Sequence, residues 1–395
     1  MTGNSGSAFR AFHFSLYTVF RPLFAANHMS NQSRSIAISG YYGFGNVGDE
    51  AVLSGIVASL TERCPEAQLV AFSADPAVTE QLHGIRAVSR SNPAEVLGTL
   101  RHCDLLISGG GSLLQDVTSA RSLCYYLAVI WLAKKLGKKT MVYAQGIGPV
   151  TRPRSRKLVR SILNRVDVIT VRDAASKECL EELQVNRPEI SVTADPSFGM
   201  TPVAPEEADA LLRAAGATQH TPLIGVCLRP WKDEPEWLPA ISQGLDAAAA
   251  RIGATLVFLP MQLDQDLRMS VEVASKMNSR SAVLAGRMIP AQALAVVSKL
   301  DLLVGMRLHA LIFAASSRVP FVGIAYDPKV DAFVRAVRRE SPLILNDITA
   351  AQVTAEIIRA WDNRLELTTL ATAEVNRLRA AAISNADIAC RLIGP

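Results

Sequence analysis

The chain has 395 residues, more than one hydrophobic core usually organises, so two domains are expected. Hydrophobic residues make up 49% and aromatics only 6%, which suits helices packed on parallel strands buried on both faces. The net charge is +5, with no dense Lys/Arg stripe interleaved with aromatics; this argues against nucleic acid and is compatible with small acidic substrates or light peripheral contact with an anionic membrane surface.

Residues 8–26 (AFRAFHFSLYTVFRPLFAA) are basic, aromatic and free of acids. Arg10, His13 and Arg21 interrupt the apolar stretch, which argues against a secretory signal. Residues 1–33 are set aside as an N-terminal extension, expected to be disordered or upstream of a start at Met29 rather than a membrane anchor. No apolar run in the chain is long enough to span a bilayer, and the protein is expected in the cytoplasm, at the inner face of the membrane if its acceptor is carried there.

From Ser35 onward strands alternate with helices. Ser35–Ser39 reads as a strand leading into the glycine-rich turn Gly40–Gly48, followed by a helix over Asp49–Leu60. Further strands are expected at Leu69–Phe72, Asp104–Ser108, Thr140–Ala144, Val166–Val171 and Ile190–Thr193, with a helix at Leu123–Leu136 closed by Gly137. Residues 201–222, rich in proline near their start, read as a linker. The rhythm then restarts with strands at Leu223–Leu228, Thr255–Leu259, Ala282–Ala285, Leu300–Val304 and Phe321–Ala325. The fold class that follows is α/β: two Rossmann-like domains, residues 34–200 and 223–348, facing across a cleft in the GT-B manner, with mostly parallel sheets. Two helices within 349–395 are expected to pack back across the halves. The six cysteines form no CxxC pair and are expected to be reduced thiols; no residue cluster has metal-ligand spacing.

In open parallel sheets ligands bind beyond the carboxyl ends of the strands, so the segments after the strands are where chemistry is sought. The turn Gly40–Gly48 leads to Asp49, either a helix cap or a cleft residue. Gly109-Gly110-Gly111-Ser112 can form a backbone nest for an anion. Gln145 opens a second glycine turn and either bonds a sugar or caps that turn. Arg172 follows the strand ending at Val171. Arg229, Arg307, His309 and Lys329 each follow an apolar strand of the second half, where a solvated-surface explanation is weakest. A cleft histidine with two arginines and a lysine suits proton transfer beside a phosphate or carboxylate.

The stretches SGYYGFGNVGDEAVL, ISGGGSLLQD, YAQGIGP, VRDAAS, ADPSF, GMRLHALIFAA and YDPKV occur in order between about Ser35 and Val330. Together they resemble the polysaccharide pyruvyl transferase family, in particular its bacterial members of the CsaB type. The resemblance implies a GT-B enzyme that uses phosphoenolpyruvate as co-substrate, without metal or other cofactor, and forms a pyruvate ketal on a lipid-linked or nucleotide-linked saccharide. It further implies that His309 is catalytic, with Arg307, and that Lys329 holds the donor. Arg229 rests on position more than on motif. The competing readings are a GT-B nucleotide-sugar glycosyltransferase or epimerase, in which Asp327 would hold the donor ribose, and a sugar-binding protein without chemistry.

Overall fold

Runs of Val, Ile and Leu bounded by glycine and proline become the strands of two parallel sheets. The computed structural model describes residues 34–117, 119–218, 220–232, 234–337 and 342–394; the expectation for residues 1–33 lies outside them. The first sheet comprises β1 (Ser35–Tyr42), β2 (Gln68–Ser73), β3 (Arg86–Ser89), β4 (Leu105–Gly109), β5 (Lys139–Gln145), β6 (Val168–Val171) and β7 (Glu189–Val192), in the order 3-2-1-4-5-6-7. The second comprises β8 (Leu223–Cys227), β9 (Thr255–Phe258), β10 (Ser281–Val283), β11 (Leu302–Gly305), β12 (Phe321–Ala325) and β13 (Leu343–Ile344), in the order 10-9-8-11-12-13. Strand order reverses beside β1 in one sheet and β8 in the other, where β1 pairs β4 with Ile36 opposite Leu105 and β8 pairs β11 with Ile224 opposite Leu302. The carboxyl ends at these two switch points frame the cleft.

Helices join the strands: α1 (Val47–Arg63), α2 (Pro76–His83), α3 (Pro93–His102), α4 (Ala120–Lys135), α5 (Pro153–Leu163) and α6 (Ala174–Glu182) in the first half. Alternate strand residues face opposite layers, as the period of two requires. Ile36 and Ile38 pack with Val52 and Ile56 of α1, whereas Ala37 and Leu106 pack with Leu127 and Ile130 of α4. The first strand runs past Ser39 to Tyr42 through an irregularity in its pairing with β2. Helix α1 therefore starts two residues before Asp49. Its cap is Asn46, whose side chain accepts from the Gly48 N–H at 3.0 Å, so Asp49 is not a cap. Strands β3 and β13 were not anticipated; with four and two residues they carry no readable periodicity.

The expected linker contains a helix, α7 (Pro205–Ala214), with Pro205 and two glutamates in its first turn. Its Ala208 and Leu212 join the second half's core beside the helix α10 (Pro290–Val297). Between them in sequence lie α8 (Glu234–Ile252) and α9 (Leu263–Ser275), and after them α11 (Leu308–Ser316), α12 (Pro328–Ala336), α13 (Ala350–Asp362) and α14 (Arg364–Ile393).

Helix α14 touches both halves. Val375, Leu378 and Ala382 pack into the core shared with α10 and α11, while Ala386 and Ala389 pack under β1 and β5. Between these groups Asn385 is wholly buried and accepts from the Thr193 hydroxyl at 3.0 Å. Near the helix end Cys390 is joined to Cys64, the cap residue after α1, with Cα atoms 6.1 Å apart. This corrects the expectation of six reduced thiols: the two cysteines lie 326 residues apart and only folding brings them together. Among the described residues no helix is long and apolar enough to cross a membrane.

Candidate active site

Strand β11 leads straight into α11, and His309 sits in that helix's first turn. Its side chain is 15% exposed, and Nε2 lies 3.7 Å from Asp195 Oδ2, close enough for charge coupling and too long for a hydrogen bond. Nδ1 faces the Cα of Gly48; a Cβ there would collide with the ring, so glycine is required at that position. Asp195 stands just past β7, with Oδ1 accepting from the Ser197 N–H at 3.1 Å and its hydroxyl at 2.7 Å. Burial opposes its ionisation, but the nearness and charge of His309, with Arg172 and the Ser197 hydroxyl, outweigh it and hold the carboxyl well below the ordinary range.

Asp49 follows Gly48 in the first turn of α1, and its charge couples to that of His309. Its carboxyl makes no hydrogen bond among the described residues. Oδ1 faces Gly111, whose φ of +70° and lack of a Cβ admit it; a Cβ there would stand 3.1 Å away. Burial, aided by Glu50, pushes this carboxyl up to about 6, against the pull of His309, Lys329 and Arg307. Two carboxylates with acidities driven apart thus couple to one imidazole, the arrangement that separates acid and base roles at a shared site.

Arg172 completes the first half's contribution. It donates to Ser112 Oγ at 3.0 Å and to Asp195 Oδ2 at 3.3 Å, under Gly146. A narrow cavity between the halves is lined by Arg172, Asp195, Leu308 and Lys329. Lys329 opens α12, and its ammonium lies 3.5 Å from the Asp327 carboxylate. The two halves also meet through backbone, the Val47 N–H donating to the Met261 carbonyl at 2.9 Å.

His309, Asp49, Gly111, Ser112, Arg172 and Lys329 are therefore brought together. The other candidates are engaged elsewhere. Arg307 donates from Nε and Nη2 to Asp266 at 2.7 and 2.5 Å, and Asp266 is fully buried. The same carboxylate accepts from the N–H groups of Met261 and Gln262, so Arg307 anchors the loop that meets Val47 instead of facing a donor. Arg229 donates to the Tyr326 hydroxyl at 2.9 Å and lies over the rings of Tyr326 and Trp231 at 4.9 and 5.2 Å. Gln145 is wholly buried and donates to the Ser108 carbonyl and hydroxyl at 3.0 and 2.9 Å, which locks it to β4. Gly110 gives its N–H to the Tyr143 carbonyl at 2.9 Å and leaves its side-chain space to Val52; packing explains that glycine.

Sequence reasoning passed over Asp195 and Arg90. Asp195 carried a usable signal, a carboxylate followed by proline just past the strand expected at Ile190–Thr193. Arg90 follows β3, the strand too short to read. Its guanidinium lies over Tyr125 at 4.4 Å, Phe44 at 5.1 Å and Tyr126 at 5.4 Å, and donates to the Gly40 carbonyl at 3.3 Å. Phe44, stacked on Tyr41 with centroids 4.0 Å apart, is 38% exposed. The glycine turn thereby presents an aromatic edge beside Asp49.

The family profile described as "Polysaccharide pyruvyl transferase" matches residues 46–328. No protein with a curated description matches in sequence. Among solved structures, the chain is similar to Anabaena Alr3699/HepE in complex with UDP and glucose, at 13% identity and a TM-score of 0.62, covering 90% of this chain and 98% of that one. It is also similar to the wall teichoic acid polymerase TagF (11%, TM-score 0.61, covering 99% and 98%). A glycosyltransferase from Rickettsia africae ESF-5 is similar at 11% identity and TM-score 0.55, covering 92% and 96%. These likenesses agree with the two facing sheets: the fold is GT-B.

Proposed function

The chain belongs to the polysaccharide pyruvyl transferase family, and from that premise we propose that it moves the three-carbon unit of phosphoenolpyruvate onto two hydroxyls of a saccharide precursor. The observation that carries this reading is His309, 3.7 Å from the ionised Asp195 and coupled in charge to Asp49, with Arg172 and Lys329 lining the adjoining cavity. Arg172 and Lys329 meet the phosphate and carboxylate of the donor. Protonated His309 delivers its proton to the methylene carbon, which leaves an oxocarbenium-like centre at C2. Asp195 steadies the imidazolium during this step. One sugar hydroxyl adds to C2 and gives its proton to Asp49, from which the histidine is recharged. A second hydroxyl then displaces phosphate, which departs with that hydroxyl's proton, and the cyclic ketal closes. The aromatic edge of Phe44 and Tyr41 offers the acceptor ring a stacking surface. Because phosphoenolpyruvate is made in the cytoplasm, the reaction belongs there, beside the membrane where the acceptor is lipid-linked.

The test is phosphate release from phosphoenolpyruvate in the presence of lipid-linked and nucleotide-linked disaccharides. Acceptor-dependent release with formation of a ketal supports the reading. Release of a nucleotide from a nucleotide sugar, with phosphoenolpyruvate inert, replaces it with glycosyl transfer.

A further inference from the structure

Between Asp116 and Asp167 the chain carries eleven of its 41 Lys and Arg residues and no acid, which leaves 30 cations to face all 36 acids in the rest. The positive balance of the whole protein therefore resides in one stretch of 50 residues. That stretch folds into neighbouring helices: α4, then β5, then α5, with α4 and α5 packed together on one face of the first sheet. On α5 the apolar side, Val159, Ile162 and Leu163, is buried. Arg154, Lys157 and Arg160 fall three residues apart on the outward side, and all three are exposed. Arg152 and Arg165 extend the row at both ends and are also exposed. Helix α4 adds exposed Arg121 and Lys135, the latter 5.8 Å from the half-buried ring of Trp131. Val117, 61% exposed, lies just before α4. The acid next in sequence, Asp167, pairs with Lys134 of α4 at 2.7 Å and with Lys139 of β5 at 3.8 Å.

We propose that this α4–α5 face is the surface by which the protein rests on an anionic lipid bilayer. A row of cations on an amphipathic helix, with an aromatic and an aliphatic side chain at its margin, matches the headgroup layer of such a membrane in charge and depth. Nucleic acid fits it less well, because no row of exposed aromatics offers bases a stacking platform. Helix α5 starts at the carboxyl edge of the first sheet, its entry held where the Asp116 carboxylate accepts from the N–H groups of Thr151 and Arg152 at 2.8 and 2.9 Å. A membrane along α5 therefore reaches, at the start of that helix, the carboxyl edge of the first sheet. If the proposed pyruvyl transfer is accepted, a lipid-linked saccharide arrives there from the same surface; the surface itself stands on charge alone.

The experiment is co-sedimentation of the full-length chain with vesicles of phosphatidylcholine, with and without phosphatidylglycerol, in low salt and at about 1 M salt, where the Debye length falls to about 3 Å. The expected result is partitioning to the anionic vesicles only, lost in high salt. The triple variant Arg154→Glu, Lys157→Glu, Arg160→Glu should reduce it by about 100-fold or more, while phosphate release with a soluble acceptor stays unchanged. Equal binding to neutral vesicles overturns the proposal. So does a folded triple variant that binds like the native chain, which would place attachment elsewhere, residues 1–33 included. Capture by duplex DNA or RNA without vesicle binding overturns it in favour of nucleic acid. Vesicle binding is read without turnover, so a failure of pyruvyl transfer leaves this test intact.

Discussion

Asn in place of His309 keeps a polar side chain of similar reach but cannot carry a proton. His309→Asn should lower kcat by about 10²–10⁴-fold with little change in melting temperature, as steady-state kinetics and a thermal melt would show. Arg307→Ala should behave in the opposite way. Removing it strands the buried Asp266 carboxylate, at a cost of about 3–5 kcal/mol in denaturant titration. Motif and position after β11 made Arg307 look like a cleft residue, because its partner lies 41 residues earlier in the chain. Asp49 ties stability to pH. Its native pKa of about 6 stands above the ordinary 3.8, so the folded state holds the extra proton and this group's contribution to stability falls as pH rises through that window. Asp195 has the opposite sign, contributing above its unfolded value and losing that contribution as pH falls through its depressed native one. Asp49→Asn should accordingly melt higher than the native chain at about pH 7, by at most about 3 kcal/mol, with the gap closing towards about pH 4 and catalysis reduced throughout. A variant that melts lower at every pH would show that the carboxylate is structural.

Elements were read where an apolar run stood out and not by length: the three-residue β10 was expected, the 19-residue α8 was not. Strands such as β8 and β12, all five residues of each buried, stand out as apolar runs closed by Arg229 and Tyr326. Helix α7 did not, since three prolines around it read as a linker and only the spacing of Ala208 and Leu212 betrays a buried side. The contact that sets Asp195 was equally hidden. At Gly55, in the middle of α1, a Cβ would strike the carbonyl of Pro196. Gly55→Ala should therefore push α1 away from the turn that carries Asp195. The expected cost is about 1–3 kcal/mol of stability, with a loss of kcat larger than any change in KM. In α3 nothing stands within 4 Å of a Cβ at Gly98, so Gly98→Ala should instead stabilise by about 0.5–1 kcal/mol. Equal melts for the two variants would mean that α1 tolerates the shift.

At the scale of the molecule, the repeated strand–helix rhythm reveals two halves, but nothing in either half says how the site is divided. The first supplies Asp49, Arg172 and Asp195, and the second His309 and Lys329. In the proposed reaction Arg172 and Lys329 take the phosphate and carboxylate, so turnover should be insensitive to EDTA. Activity lost on chelation and restored by a divalent ion would require a metal in the reaction.

Helix α14 carries a mechanical corollary. Thirty residues long, it is a rod of about 45 Å at 1.5 Å per residue, seated in one half along its middle and in the other at its end. A rod gripped in this way fixes the separation of its two seats, so the halves cannot slide apart. With the halves also joined by the Val47–Met261 hydrogen bond and a shared core, the motion such a grip predicts is a swing about Asn385. Passage of donor and product through the proposed site would then be one angular motion, its stiffness set by a helix whose Leu378 lines the cavity wall.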